Sequence, residues 1–276
     1  MHTLEVAVKP YGTDVEISGN IRSCIVRGLP ELTPAICNHD GTFVVVGSGP
    51  SLVDSLESIR NERRLGRPIC AIKGAHDYLV ENGITPDLFV SVEPRDRTEQ
   101  LTRRSNDTVY LLASRCHPNM FEHLRDYKVL VWHAHGSESE QAQFSGRFSI
   151  GGGTTSGLRA VNIAYVMGYR KVSMYGMDSC LSDDGNKHWN GGRASDVVDV
   201  IVGGRIFYCS PALAQQANEF QDIFKVMGDI HIDVAGDGLL ARIMATRRLK
   251  ASDHKAYNEM LCKQRWLIPR KKGAAA

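Results

Sequence analysis

F-V-V-V-G-S-G-P-S-L, Phe43 to Leu52, is the stretch on which the reading of this 276-residue chain turns. Phe43 to Val46 is an aromatic and β-branched run, the mark of a buried strand. Gly47, Ser48 and Gly49 make a tight turn. Pro50 suits the first turn of a helix, where its missing N–H would be unpaired anyway. Leu52, Leu56 and Ile59 recur at helical spacing. Strand, glycine turn and helix start aim backbone N–H groups and a positive dipole end at one point, which is a place for a phosphate or carboxylate. Gly47, Ser48, Gly49, Pro50 and Ser51 are therefore candidate phosphate ligands. The turn is not a Walker loop, because no Lys-Ser or Lys-Thr pair follows the glycines. It is not a dinucleotide fingerprint, because Leu52 stands where a third glycine belongs. The next strand ends at Lys73 rather than at an acid that could hold a ribose, which disfavours NAD. An ordinary strand-to-helix turn is the plain alternative.

Working outward, strands alternate with helical segments. Ile69 to Ile72, Asp87 to Val92, Thr108 to Ala113 and Lys128 to Trp132 read as strands. Ala75 to Glu81, Glu93 to Arg104 and Pro118 to Arg125 read as helices. This alternation predicts an α/β, Rossmann-like three-layer fold: a mostly parallel sheet with helices on both faces. Ligands of such sheets bind beyond the carboxyl ends of the strands. Lys73, Glu93 with Arg95, Ser114 with Arg115, and His133 with His135 follow those ends. His133 and His135, two apart, point to one side, where neutral imidazoles can bind metal, move protons or donate to phosphate.

A second glycine-rich helix start follows Ile150. It contains Gly151, Gly152, Gly153, Thr154, Thr155, Ser156 and Gly157, and its helix runs to Met167. Two anion-receiving starts favour a phosphorylated ligand. Lys171 to Tyr175 is a sixth strand and ends at Gly176-Met177-Asp178. Asp178 and Glu93 are carboxylates at two strand ends that could hold Mg²⁺ or orient a hydroxyl. Ser179 to Gly204 reads as a long irregular loop, the kind that serves as a lid or binding segment. A helix (Ala212 to Met227), a seventh strand (Ile230 to Val234) and a last helix to about Thr246 complete the pattern. Residues 1–40 read as a small N-terminal extension, with short strands at Val6 to Val8 and Val15 to Ile17. Residues 41–246 form the main domain. Residues 247–276 form a basic C-terminal tail, read as largely helical and solvated.

The net charge of +2 gives no strong signal for nucleic acid or a membrane surface. Seven cysteines without C-x-x-C spacing read as reduced thiols of a cytoplasmic protein. No apolar run reaches the roughly 20 residues of a membrane span, and the first ten residues lack a signal peptide's apolar core. The implied partners are small molecules; a homo-oligomer is compatible with the sequence, which does not specify one.

Several motifs coincide in order: V-V-G-S-G-P-S-L (45–52), I-T-P-D-L-F-V-S-V-E (84–93), H-A-H-G (133–136), G-G-G-T-T-S-G-L-R-A (151–160) and Y-R-K-V-S-M-Y-G-M-D (169–178). Together they resemble the 6-hydroxymethylpterin diphosphokinase MptE-like family. Its wider group includes the Maf motility-associated glycosyltransferases and is distantly similar to CMP-sialic-acid sialyltransferases. The resemblance implies a nucleotide-binding transferase domain. In the diphosphokinase form, ATP gives a diphosphoryl group to a hydroxymethyl acceptor with Mg²⁺ held by Glu93 and Asp178. Gly47 to Ser51 and Thr154 to Gly157 then hold phosphates, and His133 and His135 contact the transferring group. The chain departs from that pattern where Ser137-Glu138 replaces Asp-Asn after H-A-H-G. It departs again where T-S-G-L-R-A (155–160) replaces T-D-G-D-R-A. Two expected acids are thereby missing at the second glycine start, which weakens Mg²⁺ binding. Thr-Ser-Gly and D-G-N-K-H-W (184–189) are closer to the glycosyltransferase branch, in which a CMP-sugar is the donor and His188 the base. A nucleotide-binding module without catalysis is a third reading.

Overall fold

A computed structural model describes residues 12–144, 146–253, 255–257 and 259. The expected strand at Val6 to Val8 and the end of the basic tail lie outside them. In chain order the elements begin with α1 (Asp14–Ile25), β1 (His39–Val46), α2 (Leu56–Arg64), β2 (Ile69–Ile72) and α3 (Ala75–Glu81). There follow β3 (Leu88–Ser91), β4 (Val109–Ala113), α4 (Pro118–His123), β5 (Lys128–Ala134), α5 (Glu138–Gln141), β6 (Ser149–Ile150), α6 (Ser156–Val166) and β7 (Tyr169–Tyr175). The chain continues with β8 (Asn186–His188), β9 (Gly191–Arg193), β10 (Val198–Val202), β11 (Arg205–Cys209), α7 (Pro211–Val226), β12 (His231–Val234) and α8 (Leu239–Ser252).

Eight strands form one sheet in the order β12-β7-β1-β2-β3-β4-β5-β6. Every pairing in it is parallel. Side chains alternate across it as a strand requires. Phe43 and Val45 join the large core with α6, α7 and α8, while Val44 and Val46 join a smaller core with α2 and α3. Each such buried side chain contributes roughly 1.5–3 kcal/mol. The expected three-layer α/β architecture is the observed one. The strand order reverses between β7 and β1, so the crevice beyond these two strands is the fold's natural ligand position.

Four local expectations are corrected. Val15 to Ile17 lies in α1, not in a strand. Thr13 and Glu16 form a capping box there: the Thr13 N–H donates to Glu16 Oε2 (2.7 Å) and the Glu16 N–H to Thr13 Oγ1 (3.3 Å). Glu93 to Arg104 is not a helix and holds only a 3₁₀ turn at Thr98–Gln100. The Asp96 carboxylate accepts from both Thr98 N and Oγ1 and so competes with helical bonding. After Pro50–Leu52, again a 3₁₀ turn, the α-helix starts only at Leu56. The stretch from Ser179 to Gly204 is structured: β8–β9 and β10–β11 are antiparallel hairpins. Alternating Val198, Val200 and Val202 lead into Gly203-Gly204, both at positive φ, which is the two-residue turn that suits a hairpin.

The extension is fixed to the sheet. Leu32 N–H donates to Val131 O (2.7 Å), and Asn20 Nδ2 donates to the carbonyls of Pro94 and Arg115, in the loops after β3 and β4. No helix among the described residues is long and apolar enough to cross a membrane. α8 runs past Thr246 to Ser252, with Arg247 over the Phe224 ring and Arg248 paired to Asp233.

Candidate functional site

At the crevice, the turn after β1 lies directly on the turn after β7. Gly47 N–H donates to Tyr175 O and Gly49 N–H to Gly176 O, both at 2.8 Å. A Cβ at Gly47 would stand 2.6 Å, and one at Gly49 2.7 Å, from the Gly176 carbonyl. These glycines are required by chain-on-chain packing. Ser51 N–H, expected to face a phosphate, donates to the Asp178 carboxylate at 3.0 Å. The protein's own acid thus occupies that anion position, a correction to the phosphate role of Ser51. Asp178 is buried, and burial raises its carboxyl pKa, with the bond from Ser51 partly opposing it.

Above this floor stand Ser48, Lys73 and His188. The β8–β9 hairpin folds over the turn: Trp189 N–H donates to Ser48 O (3.1 Å), and its ring packs on Tyr78 at 4.6 Å. This brings His188 Nδ1 to 3.3 Å from Ser48 Oγ. Partial desolvation of the ring, then Lys73 and Lys187, lower the His188 pKa from its ordinary 6.5, which favours the neutral imidazole. Lys73 holds φ +49°, a left-handed conformation rare for a side-chain-bearing residue. So does Ser179, after Asp178, at φ +52°. Strain of about 1–3 kcal/mol per such residue gathers at functional sites, and here both cases border the crevice.

Glu93 does not fit the metal-binding role expected of it. Its Oε1 accepts from Arg95 Nε (2.6 Å), and its Oε2 from Lys73 Nζ (3.1 Å) and Arg95 Nη2 (3.0 Å). Burial alone would raise its pKa, but Arg95 and Lys73 override that and hold it at about 2. Among the described residues no group of three or more His, Cys, Asp or Glu side chains is placed to hold a metal ion.

The second glycine start also reaches the crevice, but its groups are spoken for. Thr154 N–H and Oγ1 donate to Glu219 Oε2 at 2.8 and 3.0 Å. Thr155 Oγ1 caps Leu158 N and accepts from Gln216 Nε2 (2.7 Å), and Gln216 Oε1 accepts from Ser179 Oγ (2.8 Å). Ser156 Oγ accepts from Val92 N–H (3.3 Å), and Gly157 packs on Met177. Gly152 and Gly153 lie against Asn162 and Leu158. Gln216 thus links both turns, a role that nothing in its sequence surroundings announces.

His133 and His135 are not part of this assembly. β5 is the fourth strand from β1, roughly 19 Å away at ~4.8 Å per strand. His133 is buried with Nε2 at 3.3 Å from Glu31 and its ring on Phe144. His135 is exposed, with Nε2 3.1 Å from Gln141 Nε2 and Nδ1 3.4 Å from Ser149 Oγ. Their pairing at a strand end was legible; their distance from the crevice depends on strand order.

Comparison with known proteins follows the same lines. The sequence profile of the family described as 6-hydroxymethylpterin diphosphokinase MptE-like matches residues 17–184, more than half the chain. A 6-hydroxymethyl-7,8-dihydropterin pyrophosphokinase of Methanothermobacter thermautotrophicus is 30% identical over 138 residues, which is 49% of this chain and 56% of that protein. The chain therefore aligns with little more than half of that relative's length. Among solved structures, the Maf glycosyltransferase of Magnetospirillum magneticum AMB-1 superposes with a TM-score of 0.63 at 15% identity, over 94% of this chain and 46% of that one. This last likeness is one of fold.

Proposed function

The chain belongs to the MptE-like family, and from that premise we propose that it is a nucleotide-dependent transferase whose donor phosphates lie in the crevice between β1 and β7. The observation that carries the reading is the meeting of Ser48, Lys73 and a neutral His188 over that crevice. Lys73, which stays 36% exposed in its pair with Glu93, supplies the cation for the donor's phosphates. Catalysis of phosphoryl transfer is mainly such positioning and charge neutralisation.

In the first form the donor is ATP and the acceptor carries a hydroxymethyl group. The acceptor oxygen attacks the β-phosphorus, the bond from that phosphorus to the α–β bridging oxygen breaks, and AMP leaves. His188 takes the hydroxyl proton. Family membership and the archaeal relative support this form. Because Glu93 is unsuited to Mg²⁺, no step here is routed through the metal. A second form, glycosyl transfer from a CMP-sugar with His188 as base, is favoured by that same engagement of Glu93.

The test is product analysis with ATP and 6-hydroxymethylpterin, with and without Mg²⁺, beside a parallel assay with a CMP-sugar. The first form gives one AMP per pterin diphosphate, and the second gives CMP. His188→Gln is expected to lower kcat about 10²–10⁴-fold while leaving the melting temperature nearly unchanged. Wild-type kcat should fall as pH drops through a value below 6.5, because protonation removes the base. Unchanged turnover in His188→Gln contradicts the assignment of the base.

A further inference from the structure

Beyond the ends of β4 and β5, Ser114 Oγ, Arg115 Nε, Glu140 Oε2 and Arg159 Nε are buried without a hydrogen-bond partner. Native proteins leave few such atoms, and each calls for a cause, a bound ion among them. Ser114 and Arg115 follow β4, Glu140 stands on α5, and Arg159 lies in the first turn of α6. Arg159 Nη2 donates to His135 O at 2.9 Å and its Nη1 to Ile150 O. The next residue after His135, Gly136, lies against Glu140: a Cβ there would stand 2.5 Å from Glu140 Oε2. That same Oε2 is 3.5 Å from Arg115 Nη1. Both guanidinium groups therefore converge on the His135–Gly136 peptide. Arg159 and Glu140 are buried, while the Arg115 side chain keeps 19% of its surface and His135 and Gly151 are exposed.

The charges here are incompletely matched. Burial, then the charge of Arg115, push the Arg159 pKa down to about 10, and Glu219 and Glu140 offset only part of this. Glu219 is turned to Thr154, whose N–H and Oγ1 it accepts. Glu140, at 3.5 Å and without a hydrogen bond from Oε2, is a loose partner for Arg115. Two guanidinium groups so placed favour a further negative charge, and their planar forks match the two oxygens of a carboxylate or phosphate. β4 is the third strand from β1, roughly 14 Å away at ~4.8 Å per strand, so this position is separate from the crevice. We propose that Arg115 and Arg159 form a second oxyanion site, which takes the carboxylate or phosphate group of a small molecule, with Glu140 as a built-in competitor for Arg115. The proposal stands apart from the transferase reading. A molecule anchored here lies along the same carboxyl edge of the sheet as the crevice.

The experiment is a thermal-shift titration of the full chain with inorganic phosphate and, separately, with acetate, at an ionic strength held constant with chloride. The proteins are the wild type, Arg115→Gln, Glu140→Gln and Lys73→Ala. The general stabilising effect of phosphate on folded proteins is common to all four and is subtracted by the comparison. A saturable shift with at least one anion is expected in the wild type and, at the same concentrations, in Lys73→Ala. Binding should be weaker by roughly tenfold or more in Arg115→Gln, which loses a charged hydrogen-bond donor. It should be several-fold tighter in Glu140→Gln, which loses the competing charge. A response to phosphate alone assigns a phosphoryl group to the site, and a response to acetate assigns a carboxylate. Melting curves without anion show whether Arg115→Gln is folded, and Glu140→Gln decides the matter if it is not. No saturable shift with either anion, or equal affinity in the wild type and Glu140→Gln, overturns the proposal. So does a shift that disappears in Lys73→Ala, which would place the anion in the crevice.

Discussion

Asp178 sets two residue-scale expectations. Its carboxyl pKa is raised by burial, so ionisation favours the unfolded chain. The linked stability is present below the unfolded value of 3.8 and is lost as pH rises through the folded value. Asp178→Asn removes that penalty and keeps an oxygen for Ser51 N–H. It should therefore melt at or above the wild-type temperature at pH 7. Asp178→Ala strands the Ser51 N–H and should cost about 1–3 kcal/mol. An Asn variant as unstable as the Ala variant would contradict the role given to Asp178. Lys73 provides a separate comparison. Gly is at ease at φ +49° and Ala is not. Denaturant melts should therefore find Lys73→Gly more stable than Lys73→Ala by about 1 kcal/mol, although both lose the bond to Glu93. Equal stability would mean that residue 73 is not left-handed. The sequence placed Lys73, Glu93 and Asp178 at strand ends because strand ends are local. It could not show that Arg95 and Lys73 disarm Glu93, because the Lys73 contact joins two loops that only the strand order brings together.

At the scale of elements, the β1 turn and the β7 turn form one packed unit. Gly49→Ala would press a methyl group against the Gly176 carbonyl and the Asp178 carboxylate. Chemical denaturation should show a loss of about 1–3 kcal/mol, together with lost activity. A fully stable Gly49→Ala would mean that the two turns are farther apart than described. This pairing also sets the Asp178 carboxylate at the Ser51 N–H, within the turn that the glycine motif marks. G-S-G-P-S gives a strand, a turn and a helix start, but it does not reveal which acid from another strand fills the N-terminal position. Two other local signals run against the composition around them. The Thr13/Glu16 capping box was present in a segment read as strand from Val15 and Ile17. The Gly203-Gly204 hairpin was present in a segment read as loop from its polar composition. Gln216, buried within an amphipathic helix, had no signal at all.

For the molecule as a whole, the strand order decides which sequence neighbours become functional neighbours. It brings β7 beside β1, and with it Asp178 and the hairpin carrying His188. It sends β5 four strands away, where His133 packs against Glu31 and Phe144. Burial lowers the His133 pKa from 6.5, with Glu31 opposing and Arg147 reinforcing the shift. The unfolded chain thus takes up more protons than the folded one, and stability falls as pH drops through 6.5. Between pH 7 and 5 the melting temperature should decline more steeply for the wild type than for His133→Gln. Parallel curves would show that His133 is not held neutral. Glu31, whose own pKa is lowered by Arg147 and His133 against the effect of burial, adds a loss of the same sign only at lower pH.

A nucleotide held in the crevice between β1 and β7 by Lys73 stabilises the fold against heat. The most direct measurement is the thermal shift of wild type and Lys73→Ala with ATP, GTP, CTP, CMP and UDP, each with and without Mg²⁺. At about 100 times its dissociation constant a nucleotide stabilises the fold by roughly 2.7 kcal/mol. Such a shift is expected for at least one nucleotide in the wild type, and a much smaller one in Lys73→Ala. No shift with any nucleotide, or an equal shift in both proteins, contradicts it.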